Sequence, residues 1–327
     1  MVQISLEEIS KTFKIAQRPE GRFGFLKGAV IRKTKRIHAL DHISFQIAEG
    51  ELVGYIGPNG AGKSTTVKIM SGILTPESGH CEIMGRIPWK DRIRHVAQIG
   101  VVFGQRSQLW WDVPVRDSFD LLKDIYDIPA NRYRENLKKL VETMDIGGFL
   151  KTPVRQLSLG QRMRCEVVAA LLHQPKILFL DEPTIGLDAV SKLALRNFLK
   201  EENRQNGVTM ILTTHDMDDI EALCKRVMVI GHGNLLFDSD LDHLKRRFSP
   251  LRRIRAVSED YMGNLSINGA VKIESDGREW TVWFDPVKTP AHRILSELAE
   301  KLPLADITIE DQDIDEMIAV MYEEMAL

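Results

Sequence analysis

The run GPNGAGKS at positions 57–64 constrains this chain more than any other feature. It satisfies G-x-x-x-x-G-K-[ST], and its flanks supply the context that gives the pattern meaning. ELVGYIG (51–57) reads as a strand entering the glycine-rich turn, and KSTTVKIMSG (63–72) as the helix leaving it. Gly57, Gly60 and Gly62 let the main chain wrap an anion, because no Cβ blocks the approach. The loop amides and the helix N-terminus add partial positive charge. Lys63 is expected to reach the β- and γ-phosphates of a nucleoside triphosphate, and the Ser64 hydroxyl to ligate Mg²⁺. The expected nucleotide-binding set is Gly57, Pro58, Asn59, Gly60, Ala61, Gly62, Lys63, Ser64 and Thr65.

Further along, ILFLDEP ends an apolar run on two carboxylates. Asp181 at the strand end suits the metal shell, and Glu182, one residue on, suits polarisation of an attacking water. Two acids directly after a buried strand are poorly explained as a solvated turn. Joined to the phosphate loop they predict nucleoside-triphosphate hydrolysis.

The surroundings predict an α/β fold. KILFLDE (176–182), VTMILTTH (208–215) and QIGVVFG (98–104) are short apolar runs typical of strands buried on both faces of a parallel sheet. SKLALRNFLKEENRQ (191–205) is a helix closed by Asn206-Gly207. Between about 105 and 165 the pattern turns helical, broken by Pro114, Pro129 and Pro153, as an inserted helical subdomain would be. After position 244 the texture changes again. VKIESDGREWTVWFD (271–285) alternates around Asp276-Gly277, a hairpin signal, and TPAHRILSELAEKL (289–302) is an amphipathic helix. Residues 245–327 are expected to form a small α+β accessory domain.

Composition narrows the partners. A net charge of -2 over 327 residues argues against a global nucleic-acid-binding surface. Cys81, Cys165 and Cys224 show no metal-ligand spacing and read as small buried residues. The N-terminus lacks a basic region followed by an apolar one, and VVAALL (167–172) and ILFL (177–180) fall far short of the roughly 20 residues that span a bilayer. The expected location is cytoplasmic, or peripheral on the cytoplasmic face of the cell membrane.

Five motifs then fall in a specific order: GPNGAGKS, Gln105 after QIGVVFG, LSLGQ (157–161), DEPTIGLD (181–188) and His215 after VTMILTT. Across residues 1 to about 240 this set resembles the ABC ATPase family. The resemblance implies a P-loop NTPase core, residues 1–244, with ATP and Mg²⁺ as its ligands. It implies that Ser158, Leu159, Gly160 and Gln161 form the signature that meets ATP held by a second subunit. Leu159 departs from the family, in which glycine is usual there. Gln105 corresponds to the Q-loop glutamine at the metal site, Asp188 to the D-loop aspartate crossing the dimer interface, and His215 to the switch histidine at the γ-phosphate. Phe13 stands where an aromatic residue usually stacks on adenine; a core phenylalanine on a strand is the equal alternative. The partners implied are a second ATPase subunit, with a homodimer favoured, and separate transmembrane permeases of ABC-2 type, without nucleic acid.

Two features extend the resemblance. The segment 18–36 carries Arg18, Arg22, Lys27, Arg32, Lys33, Lys35 and Arg36 against Glu20. Contact with anionic lipid or permease and a solvated loop are both open readings. Trp110 and Trp111 follow Gln105, where the family docks its membrane partner; core packing of the helical subdomain is the alternative. The wording LSLGQRMR and the basic insertion resemble a viologen-exporter-like subgroup, so export is the expected direction. Import, or a soluble ABC ATPase acting on ribosome or DNA, are the alternatives.

Overall fold

The structure is a computed structural model that describes residues 1–17, 33–104, 107–248, 251–259, 265–311 and 314–324. It divides into two compact units, Met1–Ser239 and Asp240–Leu327. The expected boundary at 244/245 falls inside a helix, Leu241–Phe248, that belongs wholly to the second unit.

The first unit opens with β1 (Val2–Gln17) and β2 (Lys33–Ala48), long antiparallel arms whose register runs out to Gln17 opposite Lys33. The short strand β3 (Leu52–Ile56) leads into the phosphate loop and α1 (Lys63–Met70). β4 (Ser78–Ile83) pairs with β1, giving a three-stranded antiparallel sheet of order β2-β1-β4. After α2 (Arg92–Val96), β5 (Ile99–Phe103) returns to the main sheet. The helical insertion follows as α3 (Val115–Ile125), α4 (Ala130–Thr143) and α5 (Leu159–Leu171). The chain then alternates β6 (Ile177–Asp181), α6 (Ala189–Asn206), β7 (Thr209–Thr213), α7 (Met217–Leu223), β8 (Arg226–Gly231) and β9 (Asn234–Asp240).

The main sheet has six strands in the order β5-β6-β7-β3-β8-β9. The pairs β5–β6, β6–β7, β7–β3 and β3–β8 are parallel, as strands separated by helical crossovers must be. β7 is buried at every position, which is why its sequence reads as a continuous apolar run. Helix α1 buries Thr66, Val67, Ile69 and Met70, and one core joins it to Ile4, Leu6 and Ile43 of the antiparallel sheet and to Val53, Phe179 and Met228 of the parallel one. The Tyr55 hydroxyl meets Thr66 Oγ1 at 3.1 Å inside this core, and burial pushes the phenol's pKa upward. Gly207, at φ 65, ends α6 as its sequence indicated. The three cysteines are free and buried.

The second unit contains α8 (Leu241–Phe248), β10 (Arg252–Ser258), β11 (Ala270–Asp276), β12 (Glu279–Phe284), α9 (Ala291–Lys301), β13 (Leu304–Asp311) and α10 (Ile314–Glu324). Its antiparallel sheet has the order β11-β12-β10-β13. The turn at Gly277, φ 65, joins β11 to β12 as read from the sequence. Ile254, Trp280, Val282 and Phe284 pack on Ile294 and Leu298 of α9 as a core of this unit's own.

Candidate functional site

The phosphate loop is shaped by what its glycines lack. Gly62 has φ 118, and a Cβ there would lie 2.6 Å from the Ala39 carbonyl oxygen. Gly60 has φ 85 with no atom near its missing side chain, so its main chain faces open space. Lys63 is buried, and its Nζ donates to the carbonyls of Gly57 at 2.5 Å and Pro58 at 3.2 Å. Burial pushes the Lys63 pKa down, against the pull of the Glu182 and Asp181 carboxylates.

Strand β6 delivers the acids. Ser64 Oγ donates to Asp181 Oδ1 at 3.3 Å, and Thr213 Oγ1 donates to the same oxygen at 2.5 Å. Glu182 sits just beyond the strand at φ 57, a left-handed conformation that costs a non-glycine residue energy. Its amide donates to the Thr213 carbonyl at 2.9 Å, and its Oε2 lies 2.6 Å from His215 Nδ1. His215 is well exposed, while the Glu182 side chain is only 21% so. Ser64 and Asp181 give a pair of hard oxygen ligands beside an amine and a glycine cradle, and this set suits Mg²⁺ with a triphosphate.

These groups line one cleft of about 550 Å³. Of the expected residues, Asn59, Gly60, Ala61, Gly62, Lys63, Ser64, Thr65, Asp181, Glu182 and His215 line it. Gly57 and Pro58 lie behind, with their carbonyls on Lys63. Phe13 is not in the lining. Its cross-strand partner Ile37 is, together with Ala39. Gln105 and most of the basic segment, 18–32, lie outside the described residues. Ser158, Leu159, Gly160, Gln161 and Asp188 stand apart from this cleft. Ser158 caps α5: its Oγ accepts from the Gln161 amide, and its own amide donates to Gln161 Oε1. Asp188 caps α6 by accepting from Ser191 N at 2.7 Å, a bond that lowers its carboxyl pKa. Trp110 and Trp111 are 41% and 50% exposed, so neither is a core residue of the helical insertion.

Three groups of residues were not visible in the sequence. Lys68, Phe103 and Ile185 complete the cleft wall. Buried Glu166 of α5 accepts from Ser107 Oγ and from the Gln108 amide at 3.1 Å, which ties α5 to the chain just past Gln105. Burial pushes the Glu166 pKa up, and those hydrogen bonds oppose it. Fully buried Asp219 of α7 accepts from Arg196 Nε at 2.5 Å and from Thr184 and Thr214. Lys192 pairs with Asp216 beside it. Only strand-end position and residue type gave Glu182 away; nothing local marks Asp219 as buried.

The family profile described as ABC transporter matches residues 40–185. The chain is 31% identical over 247 residues to the methionine import ATP-binding protein MetN of Geobacillus kaustophilus (strain HTA426), covering 74% of this chain and 67% of that one. It is 30% identical over 210 residues to the bacitracin transport ATP-binding protein BcrA of Bacillus licheniformis, covering 64% and 67%. Other curated relatives are far longer, and the chain spans only 27% and 26% of two of them. Among solved structures, the dimeric bacterial ABC transporter cassette MJ0796 superposes with a TM-score of 0.61 at 25% identity, over 73% of this chain and 98% of that one. Phosphate loop, paired acids, cleft and relatives agree, and the chain belongs to the ABC transporter family as an ATP-binding ATPase cassette.

Proposed function

We propose that the chain is the ATP-hydrolysing subunit of an exporter and works on separate transmembrane permeases of ABC-2 type. The observation that carries the hydrolytic part is the Glu182–His215 contact of 2.6 Å at a cleft that also holds Lys63, Ser64 and Asp181. Loop amides and Lys63 bind the triphosphate. Ser64 and Asp181, with Gln105, would hold Mg²⁺, which would draw charge from the phosphate oxygens. Glu182 takes a proton from water, and His215 orients Glu182 and the terminal phosphate. Ile37 offers an apolar wall to the base, with Phe13 behind it as its cross-strand partner outside the lining.

The remaining motifs fit a closed homodimer. Ser158, Gly160 and Gln161 put a capped helix N-terminus on the chain's surface, suited to the γ-phosphate held by a partner. Asp188 would cross the same interface. ATP closes the pair, hydrolysis reopens it, and the exposed Trp110 and Trp111 pass the motion to the permease. Among the described residues no helix is long and apolar enough to cross a membrane, and in this reading the permeases carry the spans. The proposed site of action is the cytoplasmic face of the cell membrane.

Export is favoured by the resemblance of LSLGQRMR and the basic 18–36 segment to the viologen-exporter-like subgroup. The relative named for bacitracin transport leaves the direction open, and the methionine-import relative keeps import as the second reading. Glu182→Gln is expected to bind ATP normally and to lose roughly 10²–10⁴-fold in turnover. Near-normal turnover would remove Glu182 from its role. Mild-detergent capture from native membranes should recover one or two polytopic permeases. Recovery of ribosomal or DNA-bound partners instead would overturn the transport reading.

A further inference from the structure

We infer that Leu159 is a positioning residue that locks the signature loop to the Asp188 segment within one chain, so that both meet the partner subunit as one preformed surface. This rests on the closed-dimer reading above and deepens it. Leu159 is the first residue of α5, directly after the Ser158 cap, and it is half-buried. Its Cδ2 methyl occupies the space that a side chain on Gly186 would fill: a Cβ there would overlap that methyl and lie 3.5 Å from Leu159 Cγ. Gly186 has φ 69, so glycine relieves the backbone and its missing side chain makes the hole.

The contact continues beyond this knob and hole. A Cβ on Gly160 would lie 3.5 Å from Leu187 Cδ2 and 3.5 Å from Ser191 Oγ, so these segments run in close apposition. Ser191 in turn donates its amide to Asp188 at 2.7 Å, and Ser158 and Gln161 close the cap on the other side. Each anchor of the partner-facing surface is therefore fixed to the next: Gln161 to Ser158, Leu159 to Gly186, and Ser191 to Asp188. Glycine at 159 would leave the Gly186 hole empty and the two loops free to order separately. A surface already ordered loses less freedom on association, so leucine here favours closure.

The test uses the full chain with Glu182→Gln, in which ATP-driven dimer formation is followed by sedimentation. Adding Leu159→Ala should weaken dimerisation about tenfold. Leu159→Met, which refills the hole at similar volume, should stay within about twofold. Gly186→Ala, which attacks the same contact from the other side, should behave like Leu159→Ala. ATP affinity of the separate chain, measured below the dimerising concentration, should change much less than dimerisation does. Unchanged or tighter dimerisation in Leu159→Ala overturns the inference. So does a loss shared equally by ATP affinity, or a methionine variant as weak as alanine. If Glu182→Gln alone fails to dimerise with ATP, the dimer reading itself falls, and this inference falls with it.

Discussion

Asp219 has no exposed surface, and Arg196 donates to it at 2.5 Å from a side chain that is itself only 17% exposed. A buried charge pair adds little over an apolar pair, but removing one member leaves the other under-compensated, here with Arg196 held among the described residues only by Asp216, at 3.4 Å. Asp219→Ala is therefore expected to cost about 3–5 kcal/mol. Calorimetry should find the melting midpoint of the first unit lowered by roughly 10 °C, and a midpoint within a degree of the parent would refute the pairing. Lys63→Ala should lose nucleotide affinity as well as rate, because the amine sits in the loop proposed to receive the phosphates. Unchanged affinity, read by titration calorimetry, would contradict that contact. The two residues differ in how well the sequence announces them. Lys63 lies in a local pattern whose chemistry is complete within a few residues. Asp219 owes its burial to Arg196 and Thr184, which come from other parts of the chain, as well as to nearby Thr214, and MDDIEAL alone reads as an ordinary amphipathic turn.

Elements of the helical insertion are pinned to the main sheet through His173. Its Nε2–H donates to the Ile99 carbonyl at the start of β5, at 2.9 Å. Its ring stacks on Tyr126, at the end of α3, with centroids 4.0 Å apart and planes 5° from parallel. Nδ1 is buried without a hydrogen-bond partner among the described residues. Burial pulls the His173 pKa down to about 4, partly offset by the Ile99 bond. The unfolded chain takes up this proton first, near pH 6.5, so between about 6.5 and 4 it binds more protons than the fold does. Stability should thus be full above about pH 6.5 and fall as pH drops through that window, by about 3 kcal/mol at most. Denaturant titrations of His173→Gln should show a shallower decline over the same range. Identical slopes for the two proteins would sink the assignment. At this scale the sequence was legible for several of the buried strands, though the buried run of β8 was not read. Continuous apolar runs gave β5, β6 and β7, and Gly207 gave the end of α6. It was opaque for contacts such as Tyr126–His173 and Glu166–Ser107, which depend on how the insertion folds back on the sheet.

At the scale of the whole molecule, two units carry two separate cores. Ile4, Tyr55, Val67 and Met228 belong to one, and Ile254, Trp280, Phe284 and Leu298 to the other. Every described residue of the proposed nucleotide cleft belongs to Met1–Ser239. A ligand stabilises only the structure that binds it, by about 2.7 kcal/mol at a hundredfold excess over Kd. Scanning calorimetry of the intact chain should therefore resolve two transitions. Non-hydrolysable ATP analogue with Mg²⁺ should raise one of them by roughly 5–10 °C and leave the other in place. The Asp219→Ala variant should lower that same transition, which identifies it independently of the ligand. A single transition that moves as one with nucleotide would mean that the cores melt together, and that the second unit shares the free energy of ATP binding instead of standing outside it.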